Sequence, residues 1–369
     1  MTLNSYWLQF IWVFFVALVS NYFFHKETSK INGIASEKWT WVQAGFLALP
    51  YVYWTAIRST AFGDTVAYRN NVLNAPSTLA DLPEYINGLT KDKGYYIFVA
   101  IFKCIFGEHV EVFFFIIAAI QMYAIVRLYR KYSNDYWLSM FIFIAITDYV
   151  SWMHNGVRQF LAATLIYLGT DWIIEKKYIR VLLLILFASL FHQSALLMIP
   201  FLLVITGRAW NVRTIIAIVV CALVVVYIAR FTNFLDSVLE TTQYTNVVSD
   251  WIEFKDDGAN PIRALVYAIP AIIAVVGFRW VWNTTDPMIN MCVNASILVA
   301  GLYLVAMFTS GIYIGRIPIY LSLYSNGILI PWEINMLFEE ESAGFIKGLA
   351  VVLYSIFYYY QMHFTWGII

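Results

Sequence analysis

Charge is scarce in this chain. Only 12% of its 369 residues are Asp, Glu, Lys or Arg, where soluble domains carry about 25%. Basic and acidic residues balance at 23 each. With no net charge and no Lys/Arg-rich tract, no basic field is present to hold nucleic acid. Cysteine is nearly absent: Cys104, Cys221 and Cys292 stand far apart in apolar surroundings. That spacing suggests neither a disulfide framework nor a Cys-based metal site, and the three read as small packing residues. Also missing are a His-Glu-x-x-His helix, a glycine-rich phosphate loop ending in Lys-Ser/Thr, and an Asp-x-Asp pair beside a sugar-nucleotide domain, so neither a metal nor a cofactor is expected. Asp256-Asp257, followed by Gly258 in an acidic loop, reads as a solvated turn. The chain shows no internal repeat and no low-complexity tract.

What fills the chain instead is apolar: 61% of residues are hydrophobic and 18% aromatic. Runs at about 3–24, 40–57, 109–126, 136–153, 157–174, 181–205, 212–229, 264–282, 288–309, 312–334 and 344–362 reach the roughly 20 residues that carry a helix through about 30 Å of hydrocarbon. The expected fold is an all-α polytopic integral membrane protein of about ten or eleven transmembrane helices, one transmembrane domain over residues 1–369. The first run lacks a basic n-region and a small-residue cleavage site, so it reads as a span and not as a removable signal peptide.

Three short loops carry the clearest positive charge: Lys26, Lys30 and Lys38; Arg127, Arg130 and Lys131; and Lys176, Lys177 and Arg180. The positive-inside rule sends all three to the cytoplasm, which puts the N-terminus outside and leaves extracytoplasmic loops at about 58–108 and 231–262. Parity then requires that Tyr95–Phe106, too short to span, lie in the interface as an amphipathic helix. The 25 residues of 181–205 make a helix about 37 Å long, too long for one upright crossing and too short for two. Either it is one tilted span, or it is a broken, re-entrant segment with His192 at the turn, which requires surrounding protein or a water-filled cavity. The re-entrant form is preferred, because it brings Arg58, Arg158, Arg263 and Arg316 to the same face, and intramembrane charge gathers around one working cavity.

Four stretches stand out for chemistry. Arg58-Ser-Thr-Ala-Phe-Gly-Asp-Thr-Val-Ala-Tyr68 places an arginine at a span's end, then Gly63 and Asp64, then Tyr68; interfacial anchoring is the bland alternative. Asp148 to Gln159 reads as a short outer turn containing His154, after which Arg158 and Gln159 open a helix whose free N–H groups and bidentate guanidinium suit a phosphate. An arginine merely resting among headgroups explains it equally well. "SLFHQSALL" sets His192, Gln193 and Ser194 inside an apolar run, and a mid-membrane histidine marks function unless a neighbouring carbonyl satisfies it. Finally, Arg316 sits in Gly311-Ile-Tyr-Ile-Gly-Arg-Ile-Pro, where helix breakers favour a cavity wall over snorkelling. The remaining carboxylates in the spans are Asp148 and Asp171.

Taken in order, Arg58 with Gly63-Asp64 and Tyr68, "KGYYIFVAIFKCIFG", "VRQFLAATLIYLG" and "KKYIRVLLLILFASLFHQSALLMIP" resemble the EpsG family of bacterial exopolysaccharide proteins, with further support from "GRIPIYLSLY". The resemblance covers about 58–205 well, and departs at Gln193, where the family pattern often has Lys. It implies a multi-pass protein of the bacterial inner membrane and a GT-C-like, metal-independent glycosyltransferase of the Wzy type, whose substrate is a polyprenyl-pyrophosphate-linked oligosaccharide and whose partners include membrane lipid and a chain-length regulator. Under that implication His192, Arg158 and Asp64 are catalytic, His192 and Asp64 being rival bases and Arg158 the main phosphate group. Arg58, Tyr68, Arg316, Gln159, Ser194 and His154 then contact substrate. A ligase acting from the same lipid carrier, and a flippase of lipid-linked sugars, remain alternatives.

Overall fold

The computed structural model describes residues 4–24, 27–239 and 258–367. Asp256-Asp257 and most of the expected 231–262 loop lie outside the described residues. The chain forms two compact units, Met1–Ile199 with Glu341–Ile369, and Pro200–Glu340.

In the first unit, α1 (Asn4–Phe23) leads to a two-stranded antiparallel hairpin, β1 (Glu27–Ile31) and β2 (Ile34–Lys38). The hairpin stands where a plain loop is expected from the charge pattern. Its turn, Asn32-Gly33, takes positive φ at both positions, the geometry for which this dipeptide is favoured. A capping box then starts α2 (Trp41–Ala56): Gln43 N–H donates to Thr40 Oγ1 and Thr40 N–H to Gln43 Oε1. The expected 58–108 loop is largely helical, with α3 (Thr65–Asn74), α4 (Leu82–Asn87) and α5 (Lys93–Phe106). At 14 residues, α5 is too short to cross a bilayer. It packs Tyr95, Val99 and Phe102 against Tyr68, Val72 and Phe113.

Next come α6 (Val110–Tyr132), α7 (Tyr136–Ala145), α8 (Thr147–His154), α9 (Val157–Leu168), α10 (Thr170–Ile174) and α11 (Tyr178–Ser189). Asp135 caps α7 by accepting from Leu138 N–H and also pairs with Lys347. The 136–153 run is not one straight span: α7 and α8 meet at Ile146 with a 68° bend. The 148–159 stretch is correspondingly not a plain outer turn, because Asp148 to His154 belongs to buried α8.

Contacts sort this unit into two ends. At one, Asn134 Nδ2 donates to Ile31 O in the hairpin, Arg130 Nε donates to Trp39 O, and Asp171 pairs with both Arg127 and Lys131. The first two of the expected cytoplasmic loops therefore lie side by side, with the inner end of the α9–α10 segment. At the other end, Arg58 meets Met153, Asp92 meets Arg158, and the N–H of Gly94 donates to Leu190 O at 2.9 Å. A Cβ on Gly94 would lie 2.7 Å from Leu190 Cβ, so only glycine allows α5 to begin against the end of α11. The α11 helix has 12 residues and rises about 18 Å, which is short of a full crossing. The chain then breaks at Leu190–His192, winds through a 3-10 turn at Gln193–Leu197 and continues as α12 (Met198–Ile205). The broken helix expected over 181–205 is present, with His192 in extended backbone at the break.

In the second unit, α13 (Val212–Val226) bends by 98° into α14 (Ile228–Leu239). After it come α15 (Pro261–Val276), α16 (Phe278–Asn283) and α17 (Pro287–Met307), where Asn260 and Asp286 cap α15 and α17 ahead of proline at the first helical position. Gly258 has φ +78°, and a Cβ there would lie 2.8 Å from Met307 O; the missing side chain lets the chain pass the end of α17. The 312–334 run, expected as a span, is instead a succession of a 3-10 turn (Ile314–Tyr320), α18 (Ser322–Tyr324), a π turn (Ser325–Leu329) and α19 (Ile330–Leu337). Pro318 and the glycines of "GIYIG" account for its irregular start. α20 (Glu340–Tyr360) returns the chain to the first unit.

Among the described residues, four helices are long and apolar enough to cross a membrane: Tyr6–Phe23, Val110–Tyr132, Pro287–Met307 and Glu340–Thr365; each of the two bent pairs adds one more if it is a single span. Several shorter apolar helices, Val157–Leu168, Tyr178–Ser189, Gln193–Ile205 and Pro261–Val276, complete the set. The protein is an all-α polytopic membrane protein. Where ten or eleven continuous spans are expected, many are bent or broken, because apolar runs report burial and leave proline, glycine and packing to decide continuity.

Candidate functional site

The clustered end of the first unit gathers most of the expected residues. Arg58 follows directly on α2, and although it is only 7% exposed it has no carboxylate partner among the described residues. Its Nη1 donates to Met153 O at 2.9 Å, and its guanidinium lies 3.6 Å from the Phe114 ring centroid, a cation–π contact. Nε and Nη2 are buried without any partner. Burial pulls this guanidinium down to about 10, with Tyr68, Tyr95 and Asp64 pulling the other way. Buried donors left unsatisfied are costly, and these two are free to donate to an acceptor.

Arg158, one residue into α9, shares the neighbours Tyr68 and Tyr95 with Arg58. Its Nη1 donates to Asp92 Oδ2 at 2.7 Å, while Nε is buried and unpartnered. Asp92 is a member of this cluster that the sequence pattern misses. It sits at the start of α5 with φ +51°, its side chain 5% exposed, and also accepts the backbone N–H of Gln193. Burial raises its carboxyl, and Arg158, Lys91 and the Gln193 N–H offset this only in part. Two guanidiniums thus flank one pair of tyrosines. Arg158 is neutralised by a carboxylate and Arg58 is not.

A second chain of hydrogen bonds runs alongside. Gln159 Nε2 donates to Ser194 Oγ at 3.2 Å, and Ser194 Oγ lies 2.7 Å from His192 Nδ1. The backbone N–H of Ser194 also donates to His192 Nδ1, a pattern that assigns the ring proton to Nε2. Ser194 Oγ–H is then the donor to Nδ1. This gives an ordered path of Gln159 to Ser194 to His192 beside the Asp92–Gln193 link.

The other expected residues divide. Asp64 is exposed at the first position before α3 and makes no capping bond, but its charge reaches Arg58 and Tyr68. Tyr68 is buried against Arg158. His154 is not in an open turn. It is fully buried in α8, with Nδ1–H bonded to Val150 O at 2.7 Å and the ring packed on Phe62. Arg316 stands in the second unit, half-buried on its 3-10 turn, and Arg263 lies there too, its guanidinium 5.4 Å from the Tyr303 ring. The second unit also holds a carboxylate beyond Asp148 and Asp171. Glu333 is fully buried in α19, and neither oxygen has a partner among the described residues. Its signal is legible in "PWEINML", an acid inside an apolar run.

Cys292 is buried, Cys221 lies against Gly301 and Cys104 faces Pro76 O; all three are free, as expected of packing residues. No curated protein and no solved structure matches the chain. A sequence model of the EpsG family matches residues 41–366, nearly the whole chain and all of the site just described. The chain belongs to the EpsG family, and is an exopolysaccharide-related membrane protein.

Proposed function

We propose that this protein polymerises polyprenyl-pyrophosphate-linked oligosaccharide repeat units into exopolysaccharide, capsule or O-antigen at the extracytoplasmic face of the bacterial cytoplasmic membrane, acting as a GT-C-like glycosyltransferase. The observation that carries this reading is Arg58, a buried guanidinium with Nε and Nη2 unpartnered, which shares the neighbours Tyr68 and Tyr95 with a second arginine whose Nε is also unpartnered. A diphosphate offers the acceptor oxygens that both edges lack.

In the reaction, an acceptor hydroxyl oxygen forms a bond to the donor's anomeric carbon. The bond from that carbon to the diphosphate oxygen breaks, and the electron pair leaves with polyprenyl pyrophosphate. Arg58 and Arg158 meet the charge that grows on the leaving oxygens, in a setting of low dielectric where such donors act most strongly. The hydroxyl proton passes to Ser194 Oγ as that hydroxyl gives its own proton to His192 Nδ1. Gln159 holds the serine in line. Asp64, exposed beside Arg58, is assigned to sugar hydroxyls and is the rival base.

Purified protein in liposomes, supplied with lipid-linked repeat units, is expected to yield a ladder of longer glycans on a gel. Translocation of the units across the bilayer with no ladder refutes the reading in favour of a flippase. Transfer of single units to a foreign acceptor, again with no ladder, favours a ligase.

A further inference from the structure

Arg158 is charged, but it is not a free charge. Its partner Asp92 is nearly fully buried, is held in left-handed backbone, and is tied by the Gln193 N–H to the break that carries His192. The same corner is closed by Gly94 N–H and Tyr95 N–H on Leu190 O. An aspartate placed with this care beside a phosphate-binding arginine looks counterproductive, since carboxylate and phosphate repel. The arrangement makes sense if tight binding is not what the site requires. A polymerase must give up polyprenyl pyrophosphate after every linkage, and binding donor, transition state and product equally tightly gains nothing in turnover.

Resting on the polymerase reading above, we propose that Asp92 is a positioning residue that fixes Arg158 through Nη1 and cancels its charge, so that Arg58 is the buried guanidinium left to attract the diphosphate and the spent diphosphate is released. Arg158 then contributes direction, through its unpartnered Nε, and Arg58 contributes attraction. The nearby charged groups are consistent with this division. Lys91, next in sequence to Asp92, also acts on Arg158, Asp64 acts on Arg58 from an exposed position, and both guanidiniums have the phenols Tyr68 and Tyr95 as neighbours.

The test uses full-length protein in detergent and inorganic pyrophosphate as the probe, with binding read by calorimetry and folding by thermal melting. Asp92→Asn keeps an oxygen for Arg158 and for the Gln193 N–H but removes the charge. It is expected to bind pyrophosphate about tenfold more tightly than wild type, because a unit charge a few ångströms from the anion is worth at least that at an effective dielectric of about 20. In the elongation assay both KM and kcat are expected to fall, as product release slows. A merely structural role for Asp92 predicts weaker binding and a lower melting temperature. The neutral double variant Asp92→Asn, Arg158→Gln restores the wild-type charge balance and is expected to bind no more tightly than wild type. Unchanged or weaker binding by folded Asp92→Asn overturns the inference. If that variant does not fold, tighter binding by the double variant overturns it. If wild type and Arg58→Ala bind pyrophosphate equally poorly, the phosphate site itself is refuted.

Discussion

Arg58→Ala is expected to lower elongation by about 10²–10³-fold, the loss seen when a preorganised donor to a developing oxyanion is removed. The effect is expected mainly in kcat, and the melting temperature in detergent is not expected to fall. Both halves follow from the same geometry. Arg58 makes one hydrogen bond, to Met153 O, and one ring contact, to Phe114, while two of its nitrogens are buried unsatisfied. The group therefore contributes little to stability. Residues retained at a cost to stability mark working sites. Arg58→Lys keeps the charge but loses the fork, and most of the activity is expected to go with it, since an ammonium cannot hold Met153 O and a diphosphate edge together. A large drop in melting temperature for Arg58→Ala, with activity falling only in proportion to folded protein, would assign Arg58 to structure.

The second large effect is at the break in the helix. His192→Ala is expected to slow elongation by about 10²–10⁴-fold, the usual contribution of general base catalysis. Ser194→Ala is expected to cost a large part of the same factor, because its hydroxyl stands between Gln159 Nε2 and His192 Nδ1. Since the two residues act as one relay, the double variant should be little worse than His192→Ala alone, as groups acting as a unit are strongly non-additive. Full additivity of the two losses contradicts the relay. Normal elongation by His192→Ala moves the role of base to Asp64.

Much of this arrangement is legible in the sequence, and the parts that are not have physical reasons. The break at 190–192 shows in "SLFHQSALL" because polar groups interrupt an apolar run too long for one crossing. Arg58, Tyr68, Arg158, Gln159 and Ser194 are legible as chemistry-bearing types at helix ends, and the structure brings them to one end of the first unit. The pairing of Arg158 with Asp92 is not legible, because 66 residues separate the partners and nothing in "LTKDKGYY" distinguishes a buried acid from a turn former. That pairing bears on the arginines' roles: the helix start points to Arg158 in the sequence, whereas the proposed mechanism also draws on Arg58, which is buried without a counter-charge among the described residues. His154 reads from sequence as part of a short outer turn between two apolar runs. The bend at Ile146 draws it into α8 instead. Glu333 is legible as a single acid in an apolar run, but its full burial in α19 is not, because composition does not show packing.

The most direct measurement follows two products at once in purified, reconstituted protein supplied with lipid-linked repeat units. Glycan length is read on a gel and polyprenyl pyrophosphate by mass spectrometry. One polyprenyl pyrophosphate is expected for every linkage formed in wild type, with both products lost together in Arg58→Ala. Glycan growth without matching pyrophosphate release, or growth undiminished in Arg58→Ala, contradicts the proposed reaction.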